Sequence, residues 1–138
     1  MTKIVHLQYS ARATGDFAIR LQREFLKRGI DSEVLALVSD VPEEDRVSGL
    51  GRKSRWTALL DHEIQMRLTR NTDPAFGGFS FPVLGTDVSG HKQIREADVI
   101  YIHWALGGFL NLQAIRNLTL LDKPLVFVLH DMWAMTGG

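Results

Sequence analysis

The sequence predicts an α/β protein with a Rossmann-like, open, mostly parallel sheet and helices on both faces. Three observations carry that prediction. Short, nearly unbroken apolar runs recur at residues 4–9, 33–38, 98–103 and 124–129, the pattern of strands buried on both faces. Stretches with helical apolar spacing lie between them. The chain has 138 residues, which suits one domain with a core of its own.

The first strand is Ile4-Val5-His6-Leu7-Gln8-Tyr9, followed by a polar loop over residues 10–16 with Gly15 near its end. A helix starts at Phe17, with Ala18, Leu21, Phe25 and Leu26 on one face and Gly29 as its C-terminal stop. Residues 33–38 form the second strand, which completes one βαβ unit. Residues 40–45 are acidic, contain Pro42 and read as an exposed loop. Trp56, Leu59, Leu60, Ile64 and Leu68 are spaced for a helix over about residues 53–70, stopped by Asn71-Thr72-Asp73-Pro74. Residues 76–84 mix Gly77, Gly78 and Pro82 with aromatics and suggest irregular chain with one short strand. A short helix over 91–97 then precedes the strand at 98–103. Gly107 and Gly108 occupy the loop that follows, Leu112, Ile115 and Leu118 mark the next helix, and 124–129 is the next strand.

Composition narrows the function classes. Hydrophobic residues make up 45% and charged residues 23%, ordinary for a globular chain. There are no cysteines, so disulfides and thiolate metal sites are excluded. Sixteen basic residues balance sixteen acidic ones, so charge offers no reason to expect a nucleic-acid partner. The N-terminus has no signal-peptide h-region, and no stretch approaches the roughly 18 apolar residues that span a bilayer. A cytoplasmic protein is expected, able to touch the inner face of the membrane peripherally.

In open parallel sheets, ligands bind beyond the carboxyl ends of the strands. Three loops leave such ends, at residues 9–16, 103–109 and 130–138. They hold His103, His130, Trp104, Trp133, Arg12, Asp16, Asp131 and five glycines. Gly15 is the first loop's only glycine, so the dinucleotide fingerprint is absent. Either this loop and the helix after it present free N–H groups to an anion, with Arg12 adding charge, or Gly15 permits a turn and Asp16 caps the helix. His103 is either a satisfied structural group or a site residue, and Trp104 beside Gly107 and Gly108 suits stacking on a sugar face. His130 and Asp131 are adjacent on extended chain, so their side chains point to opposite faces: one faces a ligand while the other anchors the loop. No metal-ligand spacing is present, so no metal is expected.

The runs Ala97-Asp98-Val99-Ile100-Tyr101-Ile102-His103-Trp104, Gly107-Gly108-Phe109-Leu110, Lys123-Pro124 and Leu129-His130-Asp131-Met132-Trp133-Ala134-Met135-Thr136-Gly137-Gly138 together resemble a bacterial branch of the family-4 glycosyltransferases. The resemblance covers the last third closely and is compatible with the first third. It implies a GT-B enzyme in which two Rossmann-like domains face each other across a cleft. Such an enzyme transfers a sugar from a nucleotide donor to a glycan or lipid-linked acceptor, with retention and usually without a metal or other cofactor. The N-terminal domain holds the acceptor, and the C-terminal domain holds the nucleotide and an E-x7-E-like motif.

On that resemblance His130 is the catalytic residue, beside the transferred sugar. Gly15, Arg12, Asp16 and Asp131 approach the donor phosphates or sugar. His103, Trp104, Gly107, Gly108 and Trp133 border the acceptor. The chain departs from the family in having Gly15 alone where paired glycines are common, and Met135 where Phe is commoner. It also ends at Gly138, where the family continues into the rest of this domain and a whole second one. The chain alone is therefore expected to be inactive. Alternatives are a non-catalytic module or half-enzyme that docks on a separate nucleotide-binding subunit, and an unrelated nucleotide-binding domain.

The helix near Trp56 carries a separate expectation. Between Arg46 and Arg70 there are six basic residues and two acidic ones. The favoured expectation is a solvated helix with its apolar side in the core; the alternative lays that side on an anionic membrane.

Overall fold

A computed structural model describes residues 1–12, 17–40, 46–73, 75 and 80–136, with the side chains of Trp133 and Thr136 outside that description. Among the described residues, five strands form one all-parallel sheet: β1 (Lys3–Ala11), β2 (Asp31–Ser39), β3 (Val47–Gly49), β4 (Val99–Ile102) and β5 (Leu125–Phe127). The helices are α1 (Phe17–Lys27), α2 (Arg52–Leu68), α3 (Lys92–Glu96), α4 (Leu112–Thr119) and the short α5 (Trp133–Thr136). The fold is the Rossmann-like α/β arrangement that the apolar runs predict.

Strand order is β3-β2-β1-β4-β5. The chain steps outward from β1 to β3, crosses back to lay β4 on the other side of β1, and steps outward again. The order therefore reverses between β1 and β4, and the crevice beyond their carboxyl ends is the place such a sheet offers a ligand.

Alternation along each strand sorts side chains between two faces. Val5, Leu7, Leu35, Leu37, Ile100 and Ile102 join Ala58 of α2, Ile94 of α3 and Ala114 and Leu118 of α4 in the larger core cluster, around Phe109. Phe109 and Leu7 are fully buried, each worth about 1.5–3 kcal/mol of transfer free energy. Val34 and Ala36 face the other way and pack on Ile19 of α1. The inner side of α1 is Ala18, Ile19 and Gln22, with Leu21, Phe25 and Leu26 half-buried. Gly29 closes α1 at φ 75, where Ile30 N–H donates to the Phe25 carbonyl at 2.9 Å and Gly29 N–H to Leu26 at 3.0 Å, a left-handed stop that glycine adopts without strain.

The structure differs from the sequence reading in the middle of the chain. Residues 47–49 were not expected to be a strand, yet β3 pairs with β2 through Val34–Val47 and Leu35–Ser48; three residues are too few to display alternation. Of the short strand expected within 76–84, residues 80–84 form irregular chain with a bend at Val83 and Leu84 and no pairing to the sheet, while 76–79 lie outside the described residues. The largest correction concerns α2. Its buried stripe is Ala58, Asp61 and Gln65, while Trp56 is 66% exposed and Leu59 and Leu60 are each 57% exposed. The apolar side does not face the core.

Polar atoms explain the orientation. Asp61 Oδ1 accepts the backbone N–H groups of Val83 at 2.8 Å and Leu84 at 2.7 Å, its other oxygen accepts from Gln65 Nε2, and Gln65 Oε1 accepts from Phe81 N–H at 3.3 Å. The 80–84 strap thus finds on α2 the acceptors that a sheet would otherwise supply. Gly108, at φ 82, lies so close to this stripe that a Cβ would come within 2.7 Å of Ala58 Cα and 2.9 Å of Asp61 Cβ. A leucine turned inward would have no room.

Candidate functional site

β1, β4 and β5 bring three histidines together on the α1 face of the sheet. His6 lies in the middle of β1 beside Tyr101 of β4. His103 follows β4, two residues after Tyr101 and therefore on the same face. His130 lies beyond β5 and reaches the same side. His6 Nδ1 is 2.9 Å from His103 Nε2, and His103 Nδ1 is 3.2 Å from His130 Nε2. At the inner end, His6 Nε2 is 3.0 Å from the Ser32 hydroxyl of β2. The result is one hydrogen-bonded line from a fully buried serine to an exposed imidazole.

Aromatic rings wall this line. His6 stacks on Phe25 with centroids 5.7 Å apart and tilts against Tyr101 at 5.1 Å. Phe17, the first residue of α1, meets His130 edge-on at 5.1 Å, and the His103 and His130 rings stack at 5.5 Å. Burial pushes His6 down to about 3, with the neighbouring His103 adding to the effect. Burial, then His130, pushes His103 down to about 4. Both inner rings are therefore neutral at physiological pH, and each carries a single ring hydrogen.

His103, Trp104, His130 and Asp131 line one crevice with a volume of about 20 Å³, room for a water molecule. Among the described residues this crevice has no room for a ligand larger than that. A wider groove of about 680 Å³ opens beyond α5, lined by apolar residues such as Phe81, Leu112, Phe127 and Met135 with Ser80 and Asn111. It contains none of the titratable groups gathered in the crevice.

The other expected residues fall as follows. Arg12 is exposed just beyond β1. Gly107 and Gly108 are not among the described walls of the crevice. A Cβ at Gly107 would lie 3.1 Å from the Tyr9 ring and 3.4 Å from the Trp104 ring, so this glycine admits the edge-on Tyr9–Trp104 pair at 5.3 Å. Gly108 serves the α2 contact. Trp104 is 38% exposed. Gly15 and Asp16 lie outside the described residues, as does the Trp133 side chain. Among the described residues, no group of three or more His, Cys, Asp or Glu is arranged to hold a metal ion; the imidazole nitrogens face each other in pairs and do not converge on one point.

Sequence reasoning missed His6, Ser32 and Phe17. A histidine in the middle of an apolar strand was the available signal, since a buried imidazole needs a partner, but the partner is legible only once β1 and β4 are neighbours. Fold and site together define a Rossmann-like α/β domain with a histidine-lined crevice beyond the carboxyl ends of β4 and β5, one strand over from the β1–β4 switch point. No family model, curated protein or solved structure matches the chain. Among the described residues, no helix is long and apolar enough to cross a membrane.

Proposed function

We propose that this chain is the acceptor-side domain of a retaining, GT-B-type glycosyltransferase that transfers a sugar from a nucleotide donor to a glycan or lipid-linked acceptor. The observation that carries this reading is the meeting of His103 and His130, from two separate runs of the glycosyltransferase-like sequence, in one crevice beyond the carboxyl ends of β4 and β5. Transfer breaks the bond between the anomeric carbon and the leaving phosphate and forms one to an acceptor oxygen. Positive charge develops on the sugar and negative charge on the phosphate. His130, exposed at the crevice mouth, is suited to hold the sugar through its ring or carbonyl. Trp104 offers an indole to the acceptor. The opposite wall, with the nucleotide site, belongs to a second domain.

The test is turnover of a panel of nucleotide sugars by two proteins: the 138-residue chain, and the product of its reading frame extended beyond Gly138. The reading expects turnover by the extended protein and none by the chain. Turnover by the chain alone contradicts it. A stop codon directly after Gly138 replaces the enzyme with a half-enzyme that needs a separate subunit.

The outward side of α2 supports a lipid-linked acceptor and peripheral contact with the membrane. Trp56 and Leu59 stand beside Arg52 and Arg55 around a shallow recess, an apolar and cationic combination that suits an anionic lipid surface. Co-flotation with anionic but not neutral vesicles is expected; absence of co-flotation removes this partner.

A further inference from the structure

Three imidazoles in line, closed at one end by a hydroxyl, can distribute their hydrogens in only two ways. With His6 and His103 neutral, each N···N contact holds one hydrogen. In the outward polarity, Ser32 O–H donates to His6 Nε2, His6 Nδ1–H donates to His103 Nε2, and His103 Nδ1–H donates to His130 Nε2. His130 then keeps its hydrogen on Nδ1. In the inward polarity every bond is reversed, so His130 donates from Nε2 and His6 Nε2–H donates to the serine oxygen.

The buried end decides between them. Ser32 is fully buried, and among the described residues its hydroxyl meets one acceptor, His6 Nε2. The inward polarity would spend that acceptor as a donor and strand the hydroxyl hydrogen, at a cost of about 1–3 kcal/mol. The outward polarity satisfies every contact. At the other end His130 is exposed, and among the described residues its Nδ1 meets no partner.

We propose that Ser32, His6 and His103 are positioning residues that hold His130 in its Nδ1–H tautomer, so that its outer nitrogen donates a hydrogen bond to a ligand oxygen and does not act as a base. The ligand chemistry this selects is an oxygen acceptor, a sugar hydroxyl or a phosphoryl oxygen. Naming that ligand rests on the transferase reading. The tautomer itself is read without any substrate, so the two fail separately: a correct tautomer with no turnover sinks the transferase reading, and turnover with the wrong tautomer sinks this one.

The experiment is long-range ¹H–¹⁵N correlation of the ring resonances in the uniformly labelled chain at pH 7.5. All three rings are expected as Nδ1–H with bare Nε2. In Ser32→Ala, an Nε2–H population appears at His130, three rings away from the substitution; Ser32→Thr, which keeps the hydroxyl, retains the original pattern. Ser32→Cys, a weak donor of similar volume, gives an intermediate pattern. His130 found as Nε2–H in the unmodified chain overturns the proposal, and that spectrum needs no variant to fold. A His130 tautomer unchanged in Ser32→Ala also overturns it, because a serine that only fills space would leave a distant ring as it was.

Discussion

Two regions bury polar side chains, and they do so to different ends. On the α2 side, Asp61 and Gln65 meet backbone N–H groups of the 80–84 strap. Those donors are backbone groups, fixed in their role, and the network ends on them. On the α1 side, Ser32, His6 and His103 lead out to His130 at the surface. Every bond there has a hydrogen that can sit on either partner. A closed network of fixed donors is a clamp; an open one of ambivalent groups that reaches solvent beyond the carboxyl ends of the strands has the form of a site.

The clamp should break hardest. Asp61→Ala leaves the part-buried Val83 and Leu84 N–H groups without their charged acceptor, and a loss of about 4 kcal/mol in chemical denaturation is expected. Asp61→Asn keeps one oxygen and should lose about half as much. Gly108→Ala attacks the same contact from the other side. It sets a Cβ against Ala58 at a positive φ, and about 3 kcal/mol of stability should go with it; a loss below about 1 kcal/mol would mean that α2 is not packed this closely.

The histidine line makes stability depend on pH. His6 and His103 are pushed below their ordinary 6.5, to about 3 and about 4. The unfolded chain therefore binds protons that the folded chain refuses, and their contribution is fully present above pH 6.5. It is lost as pH falls from there toward 4 and then 3. Two such rings predict a fall of roughly 1.5 kcal/mol between pH 7.5 and pH 6. His6→Phe, with one fewer ring to charge, should give a shallower fall. An equal slope would assign the dependence to other groups.

The smallest effect belongs to the outer side of α2. Trp56→Ser should change stability by no more than about 0.5 kcal/mol, since Trp56 is exposed. The same substitution should abolish vesicle co-flotation. A large stability loss would return Trp56 to the core that its spacing first suggested.

How much of this was legible follows from the period of each pattern. The apolar runs at 4–9, 33–38, 98–103 and 124–129 correspond to β1, β2, β4 and β5, because strands covered on both faces must be apolar throughout. The convergence of His103 and His130 was legible from the rule that parallel strands end together. His6 was not, since its partner depends on which strands are neighbours, and the lateral order of a sheet is not written in any one strand. For α2 the helical spacing of Trp56, Leu60 and Ile64 identified a helix without telling which side is inside. That was decided by a strap over residues 80–84 that needed acceptors and by Gly108, neither of which is periodic with the helix.

As proposed above, a ligand binds at the histidine crevice and not in the larger apolar groove beside α5. Titrating the labelled chain with a short glycan, while following the rings of His103 and His130 and the methyl groups of Met135 and Leu112, tests it directly. Saturable shifts of the two histidine rings are expected, with the groove methyls unmoved. Shifts of Met135 and Leu112, with both histidines unchanged, would contradict it.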